Sequence, residues 1–185
     1  MTTEKYADEI ETVLLSEEQI RERIAEMAVA VGKRYENVEK EVVLIAVLKG
    51  AAIFVSDFAR ALPIPSEMEF MAVSSYGSST SSSGVVRILK DLDTDLTDRH
   101  VLIVEDIIDS GLTLSWLIQN LRTRGAATVE ICTMLRKPEA VKVDIDVRYV
   151  GFDVPNEFVI GYGLDYAEKY RNVPFVATLA QHVYS

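Results

Sequence analysis

The stretch Val101-Leu102-Ile103-Val104-Glu105-Asp106-Ile107-Ile108-Asp109-Ser110-Gly111-Leu112-Thr113 decides the fold. Four apolar residues run into two adjacent acids, a third acid follows, and a small polar and glycine turn closes the string. A continuous apolar run of this length reads as a strand buried on both faces, the kind found in parallel sheets. The acids then sit at the carboxyl end of that strand, where open α/β sheets place their ligands. Ser110 to Thr113 open a helix, and the free amides of a helix start suit an anion.

Carboxylates beside an anion cradle make chemical sense when one ligand carries both hydroxyls and a phosphate. A sugar phosphate fits: the acids accept hydrogen bonds from ribose hydroxyls, and backbone amides hold the phosphate. Gly111 lets the backbone approach closely. The competing reading is an ordinary buried strand ending in solvated acids, and the full thirteen-residue string favours the functional one.

Working outward, the same grammar recurs. Val42 to Leu48 is a second apolar run, punctuated by Lys49-Gly50, and Ala51 to Leu62 reads as a helix. Met68 to Val73 is a further strand, with Val85 to Leu89 as its hairpin partner. Leu114, Leu117, Ile118 and Leu121 form the apolar stripe of the helix after the motif, which Gly125 stops. Trp116 falls off that stripe. Val129 to Leu135 is the next strand, followed by Arg136-Lys137-Pro138, and Tyr149 to Phe152 is the last strand of the sheet. The order predicts an α/β fold with a mostly parallel sheet flanked by helices. Ser16-Glu17-Glu18-Gln19 is a capping-box pattern that opens an N-terminal helix carrying Ile20, Ile24, Met27, Ala28 and Val31 on one face, with Gly32 as its stop. That helix and the C-terminal segment are left over and are expected to form a small cap over the strand ends.

Between the two hairpin strands, residues 74–84 hold seven serines and two glycines. Such a segment buries too little apolar surface to fix one conformation. It is either a tolerated loop or a lid over a reactive intermediate, with Ser75 and Tyr76 placed to make the lid's contacts; beside the sugar-phosphate motif the lid is favoured.

Composition sets the outer bounds. A chain of 185 residues fits one domain, 1–185, and builds a core without staples. The single cysteine, Cys132, excludes an internal disulfide and lies in an apolar run, so a core thiol in a reduced, cytoplasmic setting is expected. No secretory leader is read at the acidic, polar N-terminus, and no apolar run is long enough to span a membrane. A net charge of −10 opposes nucleic-acid binding but not a phosphorylated small molecule.

The motif string resembles the 5-phosphoribosyl-1-pyrophosphate (PRPP) binding segment of type I phosphoribosyltransferases. Leu48-Lys49-Gly50, Ser75-Tyr76-Gly77, Arg136-Lys137-Pro138 and Phe158 to Tyr166 follow in the order seen in hypoxanthine(-guanine) phosphoribosyltransferases of the bacterial kind. The likeness runs from about Ile10 to Thr178. It implies purine salvage: transfer of the 5-phosphoribosyl group of PRPP to N9 of hypoxanthine or guanine, releasing pyrophosphate. It also implies Asp109 as general base, and a 5′-phosphate cradle from Asp109, Ser110, Gly111, Leu112 and Thr113. Glu105 and Asp106 hold the ribose hydroxyls, directly or through Mg²⁺. Lys49, Gly50 and Arg171 contact pyrophosphate, and Asp165 ligates Mg²⁺ upon it. Phe158 stacks on the purine, Lys137 donates to its 6-oxo group, and Val159 reads its far edge by backbone. A non-proline cis peptide bond at Lys49-Gly50 and a homodimer or homotetramer belong to the same implication. Leu112 stands where some relatives carry lysine, and Arg87 has no assigned role. The alternatives are a transferase for xanthine or another 6-oxopurine, and an RNA-binding regulator on the same fold. The acidic charge and the lack of a basic stripe oppose the second.

Overall fold

Parallel strands buried on both faces need helices on both sides of the sheet, and alternate residues of each strand then serve opposite layers. A computed structural model, describing Tyr6 and residues 8–75 and 86–183, has this arrangement. The elements of the main body are α1 (Glu17–Tyr35), β2 (Val42–Val47), α2 (Ala51–Ala61), β3 (Ser66–Ser75), β4 (Val86–Lys90), β5 (His100–Ile108), α3 (Leu112–Thr123), β6 (Thr128–Arg136) and β7 (Tyr149–Asp153). Their sheet runs β4-β3-β2-β5-β6-β7, with only β4 antiparallel to its neighbour. The motif strand β5 therefore lies inside the sheet, between β2 and β6.

The alternation shows in the two cores. Val42, Leu44 and Ala46 of β2, with Leu102 and Val104 of β5, pack against Ile20, Ile24, Met27 and Val31 of α1 and Phe54 and Phe58 of α2. Val43, Ile45, Val101 and Ile103 face the other way, onto Leu114, Leu117 and Leu121 of α3. Each such buried side chain contributes about 1.5–3 kcal/mol relative to exposure. Cys132 is a buried core thiol, as expected, and burial pushes its pKa up.

A second sheet joins the two ends of the chain: β1 (Ile10–Leu15), β8 (Val159–Ile160) and β9 (Val176–Leu179), antiparallel in the order β1-β9-β8. The expected cap from the N- and C-terminal segments is this sheet. Its N-terminal part is a strand, however, and the helix assigned to the cap belongs elsewhere: α1 packs in the main core. The capping box at Ser16 and Gln19 starts α1 as expected (Gln19 N to Ser16 Oγ 3.2 Å, Ser16 N to Gln19 Oε1 2.8 Å). Gly32 does not stop it. The helix continues to Tyr35 with Gly32 buried, because that residue takes the ring of Pro63 where a Cβ would otherwise stand. Trp116, off the stripe, is half-buried against the same core as Leu114, Leu117 and Leu121.

Candidate active site

The carboxyl end of β5 collects the chemistry. Glu105 and Asp106 lie in the last four residues of β5 and are half-buried. Burial raises the pKa of both; proximity of Asp106 raises Glu105 further. Two acids held in this state favour any ligand that brings hydroxyl donors or positive charge. Asp106 also accepts from the backbone N–H of Ile107 at 2.8 Å, which orients its carboxylate.

Beyond the strand the chain turns through Asp109 and Ser110 to Gly111, whose φ of +76° starts α3 from the left-handed region. A Cβ there would meet Ile145 and Val143, so both the dihedral and the space require glycine. The amides of Leu112 and Thr113 are at the first turn of α3; the Gly111 cap has no side chain to meet them, and the Leu112 N–H makes only a long 3.5 Å bond to Ser110 Oγ. Glu105, Asp109, Ser110, Gly111 and Thr113 line a 160 Å³ cavity over this turn. The backbone amides of this turn and the Ser110 and Thr113 hydroxyls are the groups there that suit an anion.

Lys137 comes to the same place from the end of β6. Its backbone N–H donates to Ile108 O at 2.9 Å, and its ammonium stands 3.4 Å from Asp109 Oδ2. The Lys137 side chain is 10% exposed and that of Asp109 61%, so the lysine is fixed and the acid faces outward. The next parallel strand, β7, leads on toward Phe158. Val154 N donates to Arg136 O at 2.8 Å, and Phe158 follows four residues later, within about 14 Å of chain reach. Phe158 is 44% exposed and meets Tyr166 edge-to-face at 5.6 Å. Val159 is buried in β8, paired with Thr178.

The other side of the site is built where β2 meets α2. The cis peptide that the resemblance implied at this stretch is Leu48–Lys49. Gly50 packs so closely on Asp106 that a Cβ would occupy its carboxylate, and Gly163 of the cap in turn lies on the carbonyl of Gly50. Arg171 Nη1 donates to Gly163 O at 2.8 Å, and Arg171 Nη2 pairs with Asp165 Oδ1 at 2.7 Å. Glu168 links both cations, 3.1 Å from Lys49 Nζ and 3.5 Å from Arg171 Nη2. Lys49, Gly50, Asp106, Asp165 and Arg171 thus form one cluster. Arg171 Nε is buried without a hydrogen-bond partner. Ser75 ends β3, and Tyr76 lies outside the described residues, so the lid expectation falls largely there.

Over 16–167 the sequence matches the phosphoribosyl transferase domain family. The chain belongs to that family. It is 57% identical to a hypoxanthine-guanine phosphoribosyltransferase of Mycobacterium tuberculosis, over 99% of this chain and 93% of that protein. It is 49% identical to one from Bacillus subtilis, over 95% and 97%. A hypoxanthine phosphoribosyltransferase structure from Staphylococcus aureus superposes with a TM-score of 0.94 at 42% identity, covering 100% of this chain and 99% of that one. The chain is a type I phosphoribosyltransferase by fold and stands in the hypoxanthine-guanine branch.

Three features of the site carry no local sequence signal: Glu168 between Lys49 and Arg171, Gly163 against Gly50, and a hydrogen bond from Tyr162 to Asp57 across 105 positions of chain. Among the described residues no group of three or more metal-ligating side chains forms a cation cage. The donor set is nonetheless of the right chemistry for Mg²⁺. The half-buried carboxylates of Glu105, Asp106 and Asp165 suit a hard cation that takes one or two protein carboxylates and completes its shell from phosphates and water.

Proposed function

We propose that the protein transfers the 5-phosphoribosyl group of PRPP to N9 of hypoxanthine and of guanine, giving IMP or GMP and pyrophosphate. The observation that carries this reading is the Lys137–Asp109 pair, set 3.4 Å apart beside the anion-binding turn of α3. A buried ammonium and an exposed carboxylate at one end of a flat base give it a donor for its 6-oxo group and an acceptor for its ring proton. Adenine presents a 6-amino donor to the same ammonium and is disfavoured.

In this reading the 5′-phosphate sits in the cradle of Asp109 to Thr113, held by the amides of Ser110 to Thr113 and the two hydroxyls. Glu105 and Asp106 accept from the ribose hydroxyls, which offset the burial of their charge. Lys49 and Arg171 exchange Glu168 for the oxygens of the leaving pyrophosphate, and Gly50 contacts it beside Lys49. Glu105, Asp106 and Asp165 are the residues to hold Mg²⁺, which when bound neutralises developing pyrophosphate charge. As the C1′–pyrophosphate bond lengthens, positive charge grows on the ribose ring. Exclusion of water from that ring falls to the 74–84 segment, with Ser75 and Tyr76 as its contacts. Phe158 provides a flat face for the purine and Val159 reads its far edge by backbone. Asp109 takes the proton as the base bonds at N9, and returns it in the reverse direction.

We read 1–185 as one phosphoribosyltransferase domain, because the cap and the main sheet each supply half of the cluster. A homodimer or homotetramer is the expected assembly. Substrates with several phosphate charges do not cross bilayers unaided, which supports a cytoplasmic setting; no described helix is long and apolar enough to cross a membrane. Nucleic acid is not expected as a partner at a net charge of −10. The test is direct: the protein is mixed with PRPP, Mg²⁺ and each of hypoxanthine, guanine, xanthine and adenine, and nucleotide is quantified. IMP and GMP are expected. Nucleotide from xanthine alone, or from none of the four, overturns the proposal.

A further inference from the structure

The cap loop that bears Asp165 and Arg171 has an unusual backbone. Tyr162, Ala167, Glu168 and Tyr170 all have positive φ (48°, 50°, 62° and 73°), in company with Gly161 and Gly163. Left-handed residues with side chains persist only where the surroundings over-determine them. At Tyr162 the surroundings are specific. Its backbone N–H donates to Val173 O at 2.7 Å, its ring is 8% exposed, and its hydroxyl donates to Asp57 Oδ2 at 2.8 Å. Asp57 lies on α2, the helix that begins directly after Lys49-Gly50. One residue further along the cap loop, Gly163 rests on the carbonyl of Gly50, and the Gly163 carbonyl accepts from Arg171. The Tyr162 phenol is pushed well above its ordinary pKa by burial and by Asp57, so it remains a donor at any working pH.

We infer that the Tyr162–Asp57 hydrogen bond is a clamp that sets the distance between the two halves of the pyrophosphate site, Lys49-Gly50 on α2's approach and Asp165 with Arg171 on the cap. This rests on the proposed function, because it concerns how that reaction's leaving group is gripped. The clamp touches neither substrate. Tyr162 and Asp57 are positioning residues, acting through the loop backbone on Arg171 and through α2 on Lys49. On the base-binding side Lys137 is set by the end of β6, away from α2, and Phe158 precedes β8 and meets the cap loop at the Tyr166 ring. Loss of the clamp therefore weakens PRPP and pyrophosphate selectively.

The test compares steady-state kinetics of full-length Tyr162→Phe, Asp57→Ala, Asp57→Asn and the Tyr162→Phe/Asp57→Ala double variant. Tyr162→Phe and Asp57→Ala are each expected to raise KM for PRPP and the inhibition constant of pyrophosphate about ten- to twentyfold, the low end of the range for a lost hydrogen bond to a charged group. KM for hypoxanthine and kcat stay within about twofold. The double variant is no worse than either single one, because both remove the same bond. Asp57→Asn keeps an acceptor oxygen and is expected near the unaltered protein. An unchanged KM for PRPP overturns the clamp. So does a uniform loss of kcat in step with lower Tm, which marks a merely structural bond. If Tyr162→Phe does not fold, the Asp57 pair decides: equal effects of Ala and Asn overturn the clamp. The unaltered protein is assayed alongside. No nucleotide from it refutes the proposed function and the clamp together, whereas normal activity with unshifted variants refutes the clamp alone.

Discussion

Asp106→Asn is expected to stabilise the ligand-free protein at neutral pH while weakening its hold on PRPP. The Asp106 carboxyl moves from its usual 3.8 to about 6 on folding, chiefly because burial strips its hydration. A raised carboxyl pKa means that the folded state binds the proton more tightly than the unfolded chain. Stability is then undiminished below the unfolded pKa and declines as pH climbs through the interval from about 4 to about 6. Above that interval the accumulated cost is on the order of 3 kcal/mol, at 1.36 kcal/mol per pH unit. Asparagine has the same shape and keeps the acceptor for Ile107 N–H, but it never ionises. Urea unfolding of both proteins, with EDTA and no ligand, is to be compared at pH 4 and pH 7.5. The variant-minus-wild-type difference should rise toward the variant by up to about 3 kcal/mol between the two, or about 6–12 °C in Tm for a chain of this size. A pH-independent difference, or a variant relatively weaker at pH 7.5, would refute the claim that this acid is held against its hydration. This cost bears on function, since a carboxylate held against its hydration is the one a cation or a ribose diol relieves.

Three further outcomes follow from the site. Asp109→Asn should lower turnover about 10²–10⁴-fold with PRPP affinity little changed, read by kcat against equilibrium PRPP binding; an unaltered rate removes Asp109 from proton transfer. Lys137→Ala should narrow the hypoxanthine-to-adenine ratio of kcat/KM, and an intact preference would mean that the 6-oxo group is read elsewhere. Gly111→Ala adds a Cβ against Ile145 and Val143 at a φ of +76°, so it should cost about 1 kcal/mol or more in unfolding and raise KM for PRPP more than KM for the purine.

Much of this was legible in the chain because the signals are local. A run such as Val101–Val104 has only one economical place in an α/β protein, and the acids that follow it must then stand at the strand's carboxyl end. Lys137, Phe158 and Arg171 were legible by resemblance to a family rather than by pattern. What the chain hid is long-range. The stripe on α1 shows that the helix buries one face, but not that the face lies on β2 rather than in the cap. Strands β1, β8 and β9 are short, and their pairing across the whole chain has no periodic trace. Tyr162 and Asp57 each look ordinary alone, one an aromatic between glycines and the other a polar residue on an amphipathic helix. Gly32 read as a stop because glycine commonly ends helices; here its lack of a side chain serves contact with Pro63 instead.

The measurement closest to the centre of the account is a crystal structure with PRPP, Mg²⁺ and an unreactive analogue of hypoxanthine. The 5′-phosphate should lie within hydrogen-bond distance of the Ser110 to Thr113 amides, the pyrophosphate between Lys49 and Arg171, and the base against Phe158 with its oxo group toward Lys137. A sugar phosphate bound away from the end of β5, or a base that touches neither Lys137 nor Phe158, would contradict it.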